Sequence, residues 1–287
     1  MLTTSQLEKL YYNACMAEIQ ALKPGNVHIF ADGHGMTVQD FTKSAEVTAP
    51  IICAPNFSLG ERILQSVQVT QSAVHCNTNL GIILLCAPLI HAVITVPCEP
   101  ISMRLSEHLS NVLNSTTIED ANLCFNAIAL ASPAGLGDSA LHDVHLPAGC
   151  TLLQAMQFAA ERDLIAKQYA NDFNDILVTG TNAYLQAKNA GFNAAWSTSA
   201  LYLTLLAEFE DSHVLRKNGE QIAAQLKNEA KNHLQVFLCL ENPKLYQQTL
   251  LQWDKVLKLN HINPGTCADL TVATLLVISI NSHLSLK

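Results

Sequence analysis

The stretch LGIILLCAPLIHAVITV, residues 80–96, decides the fold. Its 17 residues carry no Asp, Glu, Lys or Arg. That length sits at the lower limit for a bilayer span, about 17 residues, and Pro88 and His91 interrupt it. A helix that is apolar on every side belongs inside a protein core, with other helices packed all round it. The rest of the chain provides them. Apolar residues recur with helical period almost throughout, beginning with Leu7, Leu10, Tyr11, Ala14 and Cys15 behind a Ser5/Glu8 capping pair. Thr37 and Asp40 open a second helix, and Thr117 and Asp120 cap another. Further helical segments read at about 60–74, 78–96, 103–113, 117–130, 151–178, 196–210, 212–231, 243–258 and 266–283. The only β-prone runs, Val93 to Val96 and Val236 to Leu240, lack hairpin turn chemistry. The expectation is an all-α fold, one compact helical domain over residues 1–287 with residues 80–96 as a buried central helix. The loosest segment, Ala131 to Cys150 with Pro133, Gly135, Gly137, Pro147 and Gly149, reads as a long loop between two helical halves.

Composition narrows the function. Charged residues are 14% of the chain and hydrophobic ones 49%, the reverse of the balance that keeps a chain disordered. The net charge of −8 argues against non-specific binding to nucleic acid or an anionic membrane. A local basic pocket for one phosphorylated ligand is compatible with it. Nine cysteines, an odd number with no C-x-x-C pair, indicate neither a disulfide framework nor a cysteine zinc site. Free thiols in apolar stretches fit a reducing cytoplasm. The opening residues, MLTTSQLEKLYYNACMAE, do not have the layout of a secretory signal.

Four polar clusters break the apolar pattern. The first is Glu18 with Lys23, Pro24, Gly25, Asn26, His28, Asp32 and His34. The second is Asn77-Thr78-Asn79 with Gly81, at the start of the most apolar helix. The third is Asp211-Ser212-His213 with Arg216, Lys217 and Gly219. The fourth runs from Asn263 through Gly265, Thr266 and Asp269 into the last apolar helix. The second and fourth place small polar residues at a helix N-terminus, which reads either as capping or as an anion site built from backbone N–H groups. Asp211, five and six residues from Arg216 and Lys217, is either an N-cap followed by surface cations or part of a Mg²⁺-polyphosphate site. Asp269 lies about one turn inside an apolar helix, where a carboxylate is rare unless paired or metal-bound. Histidines 28, 34, 75, 91, 142 and 145 form no H-E-x-x-H pair, so zinc is not expected. A fifth set, Glu161, Arg162, Asp163, Asp172 and Asp175 with Lys167, reads mostly as a solvated helix face. No Walker loop, GxGxxG or GxSxG occurs.

Taken in order, Lys23-Pro24-Gly25-Asn26-Val27-His28, Asp40-Phe41 with Ser44-Ala45, Asn77-Thr78-Asn79-Leu80-Gly81, residues 211–217 and residues 263–270 resemble the triphosphoribosyl-dephospho-CoA synthase family over about residues 10–285. The resemblance is closest to a branch associated with one-carbon metabolism, which also shows a stretch like Met156 to Tyr169. It implies an all-helical enzyme that uses ATP with Mg²⁺, joins the ribose of ATP to 3′-dephospho-CoA and releases adenine. Citrate-lyase-type members carry Thr-Pro before Lys-Pro-Gly, where Ala21-Leu22 stands here. They carry His and Lys after Asn-Thr, where Asn79 and Leu80 stand, and an Arg-Gly-Glu segment in place of which only Gly135-Leu136-Gly137-Asp138 is found. The acceptor therefore stays open between dephospho-CoA and another small hydroxyl compound, such as a pterin-pathway intermediate, and a non-catalytic nucleotide-binding protein is the alternative outside enzymes. On this reading Glu18, Asp32, Asp211 and Asp269 are the candidate catalytic carboxylates. Asp211 or Asp269 would hold Mg²⁺. Lys23, Arg216 and Lys217 would hold the triphosphate. Gly25, Asn26, His28, Asn77, Thr78, Asn79, Asn263, Gly265 and Thr266 would complete the substrate site.

Overall fold

A computed structural model describes residues 2–95, 105–132 and 144–285. Most of the expected loop between Ala131 and Cys150, with Gly135 to Asp138 and His142, lies outside those residues, as do Val96 and Cys98. Among the described residues the fold is all-α, and its only β features are two isolated bridges, His28 with Ala31 and Gly33 with Met36.

In chain order the helices are α1 Thr4–Ile19, α2 Val38–Ile52, α3 Leu59–Val74, α4 Leu80–Ile94, α5 Leu105–Asn114, α6 Ile118–Ala131, α7 Leu152–Ala159, α8 Leu164–Ala170, α9 Thr181–Asn189, α10 Ala194–Glu208, α11 Ser212–Asn218, α12 Glu220–Leu238, α13 Gln247–Leu259 and α14 Gly265–Ser285. A π-helical turn, Asp175–Gly180, runs into α9, and a 3₁₀ turn, Pro243–Tyr246, runs into α13. The Thr37/Asp40 and Thr117/Asp120 capping boxes form as expected. The first box is Thr3/Gln6, two residues before the Ser5/Glu8 expected from sequence. Val236 to Leu238 ends α12 as helix, not strand.

Two helices form the centre. In α4, residues from Leu80 to Ile90 are buried without a break. Its neighbours include α3, α5, α8 and α14, while α14 also meets α1 and α10. Among the described residues α14 is the one helix long and apolar enough to cross a membrane, with 67% of that window buried inside the protein. Pro88 lies within α4 and lacks the N–H that would bond the Leu84 carbonyl one turn back. Tyr169 of α8 satisfies that carbonyl instead, its hydroxyl donating to Leu84 O at 2.6 Å. Arg62 of α3, fully buried, donates to Ile52 O at the end of α2 and to Phe57 O in the loop that follows, so its charge faces the negative end of α2. The N-termini of α4, α8, α11 and α14 gather on one side of this core, and the polar clusters of the sequence lie there.

Candidate active site

The segment 23–28 leaves α1 as a tight loop bound from both sides. Lys23 is fully buried and donates to the Glu18 carboxylate, to Asn26 Oδ1 at 2.8 Å and to Val27 O at 2.8 Å. Burial raises the Glu18 carboxyl and lowers the Lys23 ammonium, and their contact opposes both shifts without cancelling them. Gly25 has φ +85°, and a Cβ there would stand 2.8 Å from Pro264 Cδ, so only glycine fits. Its N–H donates to Asp254 Oδ1 at 2.8 Å, and the Asn26 amide donates to Asn263 Oδ1 at 2.9 Å. His28 accepts the Phe30 N–H on Nδ1, which leaves the proton on Nε2, 3.3 Å from Asp254 Oδ1 but outside hydrogen-bonding geometry. Burial tends to raise Asp254, but His28, Lys258 and the Gly25 amide outweigh it and hold the carboxyl below its ordinary value. This loop is thus clamped onto α13 and the start of α14.

Asp211 ties two helix ends together. One oxygen accepts the His213 and Val214 N–H groups that begin α11, and the other accepts the Cys267 N–H in the first turn of α14. It is 1% exposed, and burial raises its carboxyl although the Cys267 and Val214 amides and the Arg216 charge oppose that. Ser212 and Thr266 are bonded beside it at 3.0 Å, and Ser212 Oγ also accepts the Leu164 N–H that begins α8. The capping reading therefore holds for Asp211, in a buried form that joins α11 to α14, with Ser212 adding α8. At α4, Asn77 Oδ1 accepts the Leu80 N–H, Thr78 is bonded to Ser44 at 2.5 Å and the Asn79 amide donates to Thr48. The Asn79 side chain makes no cap to the helix it precedes.

Asp269 behaves differently. It is partly exposed, and among the described residues its carboxylate accepts no hydrogen bond. It lies against Gly81 at the N-terminus of α4: a Cβ on Gly81 would stand 2.0 Å from Asp269 Oδ2. Burial pushes its carboxyl well above the ordinary value. The charges of Asp211, Glu18 and Asp163 push the same way, and Lys23 opposes them. Asp163 was read from sequence as one of a solvated set. It instead caps α8, accepting the Ile165 and Ala166 N–H groups, and pairs through its other oxygen with Arg216. Asp175 leaves that set too, buried against Gln168, Asn171 and Lys167. The result is one centre of four carboxylates, Glu18, Asp163, Asp211 and Asp269, with Lys23 and Arg216. Glu18 also lines a narrow crevice with Tyr11, Phe41, Ser44 and Asn79.

Of the predicted carboxylates and cations, two lie apart from this centre. Asp32 is exposed and bonds the Val38 N–H at the start of α2. Lys217 lines an open cleft of about 670 Å³ on the other side of the 23–28 loop, together with His34, Asp254, Lys255, Lys258 and His261. Sequence reading missed Asp254, Lys255, Lys258 and His261. The Asp254/Lys258 spacing of four on an amphipathic helix was a signal, but their partners come from distant segments. Between centre and cleft stands His213, its ring beside Gly265 and its imidazole held to a pKa of about 4 by burial and by Arg216, Lys217 and His34.

The profile of the ATP:dephospho-CoA triphosphoribosyl transferase family matches residues 4–287. Comparison with curated proteins gives no significant match. Among solved structures, a crystal structure from Archaeoglobus fulgidus, provisionally described as a triphosphoribosyl-dephospho-CoA synthase, superposes with a TM-score of 0.60 at 23% identity. The superposition covers 82% of this chain and 97% of that one, a likeness of fold. With its match over almost the whole length, the chain belongs to the ATP:dephospho-CoA triphosphoribosyl transferase family.

Proposed function

We propose that the carboxylate centre around Asp269 is where this transferase moves the triphosphoribosyl group of ATP to dephospho-CoA. The observation that supports the reading is Asp269 itself, a solvent-reachable carboxylate with no donor, set against Gly81 at a helix N-terminus. Carboxylates this perturbed, with a named charge environment, cluster at functional sites.

In the reaction, the bond from C1′ of the ribose to adenine breaks and a bond from C1′ to the acceptor oxygen forms. The acceptor hydroxyl gives up one proton and adenine takes one up, so the step is balanced without an outside reagent. Positive charge builds at C1′, as in glycoside hydrolysis, and a carboxylate stabilises it most where, like Asp269, it is not already neutralised by a bound cation. Arg216, paired with Asp163 through one nitrogen, keeps further donors for a phosphate oxygen. Glu18 and Lys23, bound to each other, position the 23–28 loop.

Among the described residues no group of three or more potential ligand side chains is preformed for a metal. Mg²⁺ usually takes one or two carboxylates together with substrate phosphates, and the free Asp269 carboxylate fits that pattern. Asp211, whose oxygens already hold three amides, fits it less well. Asp269 and the phosphates would hold the ion, which neutralises triphosphate charge when bound.

The test is Asp269→Asn, which keeps size and removes charge. Adenine release from Mg-ATP with dephospho-CoA should fall at least ~10²-fold. The stability of the ligand-free protein should stay level or rise, because like charges are relieved. Normal adenine release from a stable mutant would refute the assignment.

A further inference from the structure

The cleft of about 670 Å³ on the far side of the 23–28 loop has no part in the centre just described. His34, Lys217, Lys255, Lys258 and His261 line it. Three of the 16 Lys and Arg residues of a chain with net charge −8 thus face one concavity. Its one acid, Asp254, is already engaged by the Gly25 N–H and by Lys258 at 3.0 Å. Lys217 and Lys255 are exposed and make no hydrogen bond or ion pair. His34 donates from Nε2 to Gly25 O at 2.8 Å, which holds its ring against the loop. Leu251 and Leu259 add apolar wall. Free cations over an apolar wall suit a ligand with a polyanionic middle and less polar ends.

A transfer between two phosphorylated substrates needs two anion sites of different character. The centre around Asp269 is rich in carboxylates, which repel bare phosphate and accept it only with a cation attached. The cleft is the opposite: ammonium groups bind phosphate directly and have no use for a metal. The two sites share a wall. Consecutive residues of α11 face both, Arg216 toward Asp163 and Lys217 into the cleft. Residues 23–34 do the same, Lys23 bonded to Glu18 and His34 lining the cleft.

We infer that the cleft binds a metal-free diphosphate, that of the acceptor nucleotide, while the carboxylate centre takes the metal-bearing triphosphate donor. This rests on the transferase reading for the acceptor but not for the anion site itself. The experiment uses the Lys217→Ala/Lys255→Ala double variant, which removes two exposed side chains without disturbing the core. Inorganic pyrophosphate is titrated by calorimetry in EDTA, and adenine release is measured with each substrate varied in turn. Pyrophosphate should bind at least ~10-fold more weakly to the variant, and KM for dephospho-CoA should rise by a similar factor. That is the loss expected for one charge-assisted hydrogen bond or more. KM for Mg-ATP should stay within about twofold, below the tenfold that 1.4 kcal/mol represents. Unchanged pyrophosphate binding would overturn the inference. A rise confined to KM for Mg-ATP would overturn it as well, giving the cleft to the donor. If the wild-type protein releases no adenine with dephospho-CoA, the transferase reading fails, and the pyrophosphate titration still decides the cleft.

Discussion

At the residue scale, the contact between Gly81 and Asp269 carries the most. In a helix, Gly→Ala ordinarily stabilises by up to about 1 kcal/mol. Here the new methyl would overlap Asp269, 2.0 Å from Oδ2 and 2.6 Å from Cγ, with Ile165 Cδ1 at 2.8 Å on another side. The carboxylate or the start of α8 must move. Gly81→Ala should therefore destabilise by about 1–3 kcal/mol, the usual range for overpacking. It should also lower adenine release by up to about 10²-fold, because a shift near 1 Å at a reacting centre has that effect. A thermal melt and a rate measurement check both, and a mutant with raised Tm and full activity would show that the contact is idle. That Asp269 was out of place could be read from the apolar run that follows it. That Gly81 faces it could not, because the two are 188 positions apart and only packing of α4 on α14 brings them together. Asp163 was misread for a related reason. It follows Arg162 at a break in an apolar pattern, and its partner Arg216 lies 53 residues on.

At the scale of elements, capping chemistry made several helix starts legible, with Thr37, Thr117 and Asp211 all serving as N-caps. Helix interiors were less legible where local signals are weak. The expected helix 151–178 is two short helices and a π turn, with Asp172 and Phe173 at positive φ between them. The expected helix 212–231 is broken at Gly219, φ +89°, into α11 and α12, and α9 went unrecognised. The break at 219 has a use: it ends α11 just after Arg216 and Lys217, so that short helix presents Arg216 to Asp163 and Lys217 to the cleft. The α4 interior, by contrast, was legible as buried but not as interrupted. Pro88 frees the Leu84 carbonyl, and Tyr169 supplies the donor from α8. Tyr169→Phe keeps the ring and removes that donor, leaving a buried carbonyl unsatisfied, which costs about 1–3 kcal/mol. Urea denaturation should show that loss with little change in KM for either substrate. An unchanged midpoint would mean that the carbonyl has another partner.

At the scale of the whole molecule, the gathered carboxylates make stability depend on pH in a definite sense. In the unfolded chain Asp269 ionises near its ordinary value of 3.8, whereas in the fold it holds its proton to a distinctly higher pH, chiefly through burial and then through Asp211 and Glu18. Between those two values the folded protein binds more protons than the unfolded one, so stability falls as pH rises through that window and then levels off. Histidines act in the opposite direction on the acid side. His91 and His213 have pKa values lowered to about 4 from 6.5, both first by burial, so their contribution is lost as pH falls from 6.5 toward 4. Comparing wild type with Asp269→Asn in EDTA cancels the histidine part, which both proteins share. The difference in Tm, mutant minus wild type, should be smallest at acid pH, grow with pH while Asp269 ionises in the wild type, and then hold constant. Mg-ATP added to the wild type should close the gap at alkaline pH by supplying the missing counter-charge, and should do so less in the mutant. Parallel melting curves across the whole pH range would mean that Asp269 is ionised without strain in the fold. It would then be a well-solvated carboxylate with no special claim on the donor's phosphates.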